Sequence, residues 1–234
     1  MKFYINYFFY FFLSFVLFTT IGTLSHEFGH IAVAKYYGYK TSLHYGSMNY
    51  KTNFEVELIK LYKKYKFDPN KSIPYELEKE HNKLIEKYKK ESLYVSMGGP
   101  LQTMITGLFG CLLLYIRRNK QIESGFNLID WIAVFLSLFW LRELFNLISS
   151  LAYGMMLQHG KYFGGDEYRI SKKLNLWEGT IPVVLGLLGL VISLIVVFKI
   201  VPFNLRFTFI ISGLIGGITG LYLWMDVFGP WLLP

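Results

Sequence analysis

Residues 3–34 read FYINYFFYFFLSFVLFTTIGTLSHEFGHIAVA, an apolar stretch with no charged residue before Glu27. A helix needs about 20 apolar residues to cross the hydrocarbon core of a bilayer, which is about 30 Å thick. The stretch therefore predicts a membrane-spanning helix. It is longer than the apolar core of a signal peptide, and no small-residue cleavage site follows it, so we expect it to remain in the mature protein.

Four further apolar stretches are long enough to cross a membrane: residues 93–116, 128–157, 180–201 and 207–228. The chain has 234 residues, of which 53% are hydrophobic, and this composition excludes an ordinary soluble domain. We predict an all-α polytopic membrane protein with about five transmembrane helices. It would form a single membrane-embedded domain over residues 1–234, with a core at 1–175 and two additional helices at 179–228.

Residues 35–92 form the one long polar region between the first two apolar stretches. β-prone residues around Gly46 and Ser47 predict a β-hairpin within residues 41–58, and residues 74–92 predict a charged amphipathic helix that lies on the membrane or covers the site. Twelve lysines lie between Lys40 and Glu91, interleaved with eight acidic residues. This pattern is typical of a solvated face beside a membrane, so we expect no nucleic acid partner.

The chemistry of the chain is concentrated in His26-Glu27-Phe28-Gly29-His30, a match to H-E-x-x-H. Residues four apart lie on the same face of a helix, so His26 and His30 can bind one Zn²⁺ together. Zinc lowers the pKa of a water to about 7, and Glu27 is placed to take its proton. Polar residues inside an apolar helix are costly unless they have partners, so this cluster is functional by default. Lys35 follows His30 by about 7.5 Å along a helix, which places the metal just inside one membrane face.

A catalytic zinc of this kind needs a third protein ligand from the same membrane face. The alternation of the membrane helices limits it to residues near 97–103 or 145–169. The first region holds Gly98-Gly99-Pro100, where we expect the second membrane helix to begin, because proline is tolerated in a first turn and small residues let helices approach closely. The second region holds Asn146 and the segment Gly164-Gly165-Asp166-Glu167. The lone cysteine, Cys111, excludes a multi-cysteine site.

With these features the chain resembles the site-2 protease family of intramembrane zinc metalloproteases over residues 24–170. The resemblance implies that His26 and His30 are zinc ligands, that Glu27 is the general base, and that Asp166 is the third ligand. It also assigns a substrate-binding or structural role to Gly98, Gly99, Pro100 and Asn146.

The chain departs from the family pattern at three points. Thr103 stands where the family often carries asparagine, Ser149 stands where proline is expected, and about twenty residues separate Asn146 from Asp166, where the family spacing is shorter. His159 and Glu167 therefore compete with Asp166 for the third ligand position. Asp166 is preferred because the preceding glycine pair allows a turn that aims it into the helix bundle. Its alternative role is that of a helix N-cap.

Arg142 and Glu143 lie deep in the third apolar stretch, where an unpaired charge costs several kcal/mol. We expect both side chains to face the interior of the helix bundle. An internal polar network between helices is the favoured interpretation. The alternative is that Arg142 or Asn146 holds a substrate carbonyl or orients a metal ligand.

These features predict a zinc-dependent endopeptidase that hydrolyses a peptide bond in or next to a transmembrane segment of a substrate protein. A strand edge of the hairpin could align the substrate. The alternatives are a gluzincin-type membrane metallopeptidase with Glu167 as third ligand, and a non-catalytic metal-binding membrane protein. The partners are the lipid bilayer and a membrane-protein or peptide substrate. Lysine and arginine are more numerous on the side of the motif, which predicts an active site near the cytoplasmic face, and residue usage favours a bacterial cell membrane.

Overall fold

A computed structural model describes residues 2–67, 73–157 and 162–234, and most of these residues are helical. The α-helices are α1 (Ile5–Tyr36), α2 (Phe54–Lys64), α3 (Tyr75–Ser124), α4 (Leu128–Ser137), α5 (Leu141–Leu157), α6 (Gly165–Lys173), α7 (Thr180–Ile195), α8 (Phe203–Tyr222) and α9 (Gly229–Leu232). The strands are β1 (Lys40–Leu43) and β2 (Met48–Lys51).

Within the described ranges, five helical stretches are long and apolar enough to cross a membrane. They are α1, α3, α4 with α5, α7, and α8 with α9. A 3-10 turn at Leu138–Trp140 joins α4 to α5, while π-helical turns at Val196–Ile200 and Leu223–Phe228 extend α7 and α8. The predicted all-α fold with five long apolar helices and a short hairpin is therefore confirmed.

Helix α1 packs against both α3 and α8, and α3 packs against α4, while α5 packs against α7. At the crossing of α1 and α3, Gly29 faces Gly98. A Cβ on either residue would lie under 3.0 Å from the carbonyl oxygen of the other. The two backbones can approach this closely only because both residues are glycine, as is common between membrane helices. The close crossing places the motif of α1 directly against α3.

The hairpin is shorter than the sequence predicts. Strands β1 and β2 pair antiparallel, with Lys40 opposite Lys51 and Leu43 opposite Met48. The prediction that residues 53–58 belong to the hairpin is wrong, because α2 begins at Phe54. Apolar side chains at helical spacing in α2, with Leu61 buried, pack against α3. This contact outweighs the β propensity of the individual residues.

The charged helix predicted at residues 74–92 is not a separate element. It forms the beginning of α3, which runs unbroken for 50 residues into the second apolar stretch, because neither glycine nor proline occurs between Tyr75 and Met97. The prediction that Gly98-Gly99-Pro100 opens the helix is therefore wrong. Pro100 lies in the middle of α3, where a neighbouring helix packs closely, and such packing makes an interior proline tolerable in membrane helices.

Candidate metal centre

The last three turns of α1 carry the three polar residues of the motif, and all three are buried. His26 is 1% exposed, Glu27 is 6% exposed and His30 is 5% exposed. Each offers one ligand atom, and these atoms lie within 4.8 Å of one another. Three buried groups that can all ligate a metal, brought this close together, could hold a metal ion.

His26 is oriented by α3. Its Nδ1 lies 2.9 Å from Oγ1 of Thr103, and that hydroxyl lies 3.2 Å from the carbonyl oxygen of Gly99, to which it donates its proton. The hydroxyl oxygen is then free to accept a hydrogen bond from Nδ1–H of His26. This fixes the neutral tautomer in which Nε2 of His26 carries a lone pair.

His30 is held in the same tautomer by the backbone of α3. Its Nδ1 lies 2.6 Å from the carbonyl oxygen of Val95, which can only accept, so the proton is on Nδ1. The amide nitrogen of Gly99 also lies 3.2 Å from this ring nitrogen. In this tautomer Nδ1 has no lone pair to accept that amide proton. We therefore assign the hydrogen bond of His30 Nδ1–H to the carbonyl oxygen of Val95. Nε2 of His30 is then also a free ligand atom.

Asp166 reaches the same point from α6. Its Oδ2 lies 3.2 Å from Nε2 of His26 and 3.1 Å from Nε2 of His30. Ligands about 2.0 Å from a tetrahedral zinc ion lie about 3.3 Å from one another, so these spacings suit three ligands of one metal. Two lone pairs and a carboxylate oxygen that face each other could hold a metal ion between them.

The first residue of α6 helps to aim Asp166 toward the histidines. Gly165 has a φ of 78°, in the left-handed region that glycine adopts without steric cost. A carboxylate oxygen is one of the donor types that zinc binds, so Asp166 is a candidate third ligand beside the two imidazoles.

Gly99 provides the space between the ligand atoms. A Cβ at this position would lie under 3.0 Å from Nε2 of both His26 and His30. Any side chain on residue 99 would therefore occupy the region on which the two imidazoles converge. The backbone of α3 forms the wall of the candidate site.

Glu27 lies beside the two histidines, outside the set formed by His26, His30 and Asp166. Among the residues that the structure describes, none forms a hydrogen bond with its carboxylate. Its oxygens are therefore left for a water or a substrate group in the site. This is the arrangement that a general base requires.

Glu167, the alternative third ligand, points into the helix bundle. It is 2% exposed, and its Oε1 accepts a hydrogen bond of 3.1 Å from Nδ2 of Asn146. Its carboxyl group lies against that of Glu143, which is 1% exposed. Over the described ranges, both oxygens of Glu143 lack a hydrogen-bond partner. Asn146 therefore contacts α6 through Glu167 and does not contact the candidate ligand atoms.

The structure brings five of the residues predicted from sequence together and places the others that it describes elsewhere. His26, Glu27, His30, Gly99 and Asp166 meet at one point, while Gly98 serves the crossing of α1 and α3. Pro100 is buried in α3 next to Gly99. His159, the other competitor for the third ligand, lies outside the described residues.

Sequence reasoning missed Thr103 and Val95, which orient the two imidazoles. In the sequence, Thr103 stands out only as a departure from the family pattern. Its position four residues after Gly99, one turn along the same helix face, is the signal that could have identified it. A backbone carbonyl such as that of Val95 leaves no signal in a sequence.

No family model, no curated protein and no solved structure matches this chain. The function therefore has to be inferred from the geometry and chemistry of the site.

Proposed function

We propose that this protein is a zinc-dependent intramembrane endopeptidase. The observation that carries the proposal is the convergence of Nε2 of His26, Nε2 of His30 and Oδ2 of Asp166 on one point. Gly99 leaves space there, and Glu27 lies beside it. Two imidazoles and one carboxylate, with a position left for water or substrate, form the donor set of a catalytic zinc site.

Zinc, when bound, supplies a Lewis acid that activates water and polarises a carbonyl group. The residues of the chain provide the remaining functions. Glu27 accepts a proton from the attacking water as the new carbon–oxygen bond forms. It then donates that proton to the amide nitrogen as the carbon–nitrogen bond breaks. The products are a carboxylic acid and an amine, and Glu27 returns to its starting state.

Hydrogen bonds from the Nδ1 atoms hold the two imidazoles in place for this chemistry. Thr103 and the carbonyl of Val95 accept from Nδ1 of His26 and His30 respectively, which keeps both Nε2 atoms directed into the site. Such outer contacts fix the ring orientation and make the ligating nitrogen more basic. Both contacts come from α3, so the close packing of α1 on α3 is part of the proposed machinery.

The substrate class follows from the position of the site in the apolar bundle. His30 lies within the apolar part of α1, and Lys35 in its last turn is the next charged residue. A bond cleaved here would lie in or next to a transmembrane segment of another protein. The hairpin β1–β2 follows α1 directly, and no third strand within the described ranges pairs with it, so an extended peptide could add to its edge as a strand. The excess of lysine and arginine near this end favours a site that faces the cytoplasm.

The proposal is tested with Glu27→Gln in the full-length chain. We expect this variant to keep its zinc, because the three ligands are unchanged, and to lose cleavage by a factor of at least about 100 because it has no general base. Membrane-protein fragments are compared between cells that express the wild type or the variant. Glu86→Gln, an exposed carboxylate on α3, is the matched control.

Fragments that appear with the wild type and Glu86→Gln but not with Glu27→Gln would support an endopeptidase and identify its substrates. A fragment pattern that is the same for all three proteins, with zinc bound in each, would instead indicate a metal-binding protein without proteolytic activity.

A further inference from the structure

A second candidate site lies where α3 meets α6, and none of the candidate metal ligands lines it. A groove of about 750 Å³ runs between these helices and the end of β2. Four lysines line it, Lys89 and Lys90 from α3 and Lys172 and Lys173 from α6, and no acidic residue is among its described lining residues. The lining of the groove is therefore positively charged.

Lys173, one of the lining residues, reaches across from α6 to α3. Its Nζ lies 2.8 Å from both the carbonyl oxygen and Oγ of Ser92, and 2.7 Å from Oγ of Ser96. All three acceptors are neutral, so the positive charge is not cancelled. Burial, together with the nearby charge of Arg169, lowers the pKa of Lys173.

The four lysines differ from neighbouring lysines in their pairing. Lys64 and Lys87 form salt bridges with Glu80 and Glu57. In the described part of the chain, none of the four lysines of the groove has such a carboxylate partner. An anion bound in the groove would therefore meet positive groups that are not already neutralised.

The groove lies at the boundary between the charged and apolar parts of α3. Leu93, the first residue of the second apolar stretch, is part of its lining. The segment that follows Lys173 exposes Leu174, Leu176 and Trp177, the last at 66%. Tryptophan beside lysine is typical of the interface between lipid and water. In a membrane, the groove would therefore lie at the level of the lipid headgroups.

We infer that this groove binds the phosphate headgroup of an anionic phospholipid. The inference rests on the membrane location given under the proposed function. Charge selects an anion, and the exposed apolar residues beside the groove favour a lipid over a soluble acidic peptide, because they provide a surface for acyl chains. Basic pockets between membrane helices bind such headgroups. The bound headgroup neutralises the repulsion between lysines of α3 and α6, and so stabilises the contact that holds the helix of Asp166 in place.

The test uses the full chain in a neutral detergent, titrated with dioleoyl phosphatidylglycerol or dioleoyl phosphatidylcholine and followed by native mass spectrometry. The variant Lys89→Gln with Lys172→Gln removes one charge from each helix. The control, Lys79→Gln with Lys83→Gln, removes two exposed charges of α3 outside the groove. We expect the groove variant to bind the first phosphatidylglycerol about 30-fold more weakly than the wild type, since each lysine near an anionic lipid contributes about fivefold. We expect the control to match the wild type.

Equal weakening by both double variants, or equal affinity of the wild type for the two lipids, would overturn the inference. Displacement of phosphatidylglycerol by a glutamate-rich peptide at comparable concentration would identify an acidic peptide as the ligand and overturn it too. Displacement of phosphatidylglycerol by millimolar inorganic phosphate would identify a free anion as the ligand and would also overturn the inference. The proposed membrane location is tested separately, because its failure would release the chain from membranes in alkaline carbonate, whereas failure of the lipid site alone would not.

Discussion

At the scale of single residues, the site depends on an absent side chain as much as on the ligands. Gly99 leaves open the region between Nε2 of His26 and Nε2 of His30. The atoms nearest to a methyl group there are side-chain atoms of the two rings and not backbone atoms, so the helix can keep its path while the ligand atoms are pushed apart.

We predict that Gly99→Ala folds but binds zinc at least about 100-fold more weakly, because the added methyl group occupies the position of the metal. Gly217→Ala is the matched control, since a Cβ there meets no atom within 4 Å. Helix content is measured by circular dichroism and zinc affinity by competition with a chelating dye. A Gly99→Ala protein that binds zinc like the wild type would show that the metal lies elsewhere.

Thr103 gives a second prediction at this scale. Thr103→Val removes the oxygen that accepts from Nδ1 of His26 while keeping the size of the side chain. We expect zinc affinity to fall by about 10- to 100-fold, the usual cost of losing an outer contact to a metal ligand. Thr103→Ser keeps the hydroxyl and should bind zinc nearly as well as the wild type. Equal affinities of the valine and serine variants would argue against this role.

The individual residues also show what the sequence can predict of the site. His26, Glu27 and His30 lie within one turn of one helix, so their spacing alone places them together. Asp166 follows His30 by 136 residues. The alternation of the membrane helices limits the third ligand to two regions, and the resemblance to a protease family together with the preceding glycine pair singles out Asp166. The contacts of Thr103 and Val95 depend on how α1 crosses α3, which the pattern of single residues does not determine.

At the scale of elements, α6 must be held at a fixed angle for Asp166 to face the histidines. The hydrogen bond from Asn146 on α5 to the buried Glu167 fixes one side of this helix, and Lys173 fixes the other by its contacts with Ser92 and Ser96 of α3. Asp166 itself is not part of either contact. The position of the third ligand is thus set by its neighbours on the same short helix.

We predict that Asn146→Leu weakens zinc binding although Asn146 does not touch the ligand atoms. The change leaves Oε1 of Glu167 buried without a donor, at a cost of about 1–3 kcal/mol, which corresponds to a fall in melting temperature of about 5 °C. Ser149→Ala on the same helix is the control, because the Ser149 hydroxyl donates to the backbone carbonyl of Asn146 within α5. The melting temperature is measured with and without added zinc. If Asn146→Leu matches the control in both conditions, α6 is not held by this bond.

The sequence predicts the number of long apolar helices better than the bounds of the individual helices and strands. Periodicity finds the apolar half of α3, but the continuity of its charged half depends on the absence of a helix breaker and on packing against α2. The change from strand to helix at Phe54 follows from that same packing. Both features depend on contacts between elements, whereas sequence patterns report mainly on the residues within one element.

At the scale of the whole molecule, composition and the lengths of the apolar stretches are sufficient to predict the class of fold, because five helices of this kind cannot be covered by a chain of this size. Many large apolar side chains on α1, α3, α7 and α8 remain exposed. A bilayer would cover them, and the buried polar residues of the motif would then lie in a protein interior surrounded by lipid. An apolar exterior around buried polar residues supports an intramembrane site.

The central claim is that His26, His30 and Asp166 hold one zinc ion. The most direct test is the zinc content of the purified full-length chain, measured for the wild type, Asp166→Asn and Glu167→Gln, two variants that each replace one carboxylate by an amide. We expect about one zinc per chain in the wild type and in Glu167→Gln, and almost none in Asp166→Asn. Zinc retained by Asp166→Asn but lost from Glu167→Gln would contradict this claim and would identify Glu167 as the third ligand.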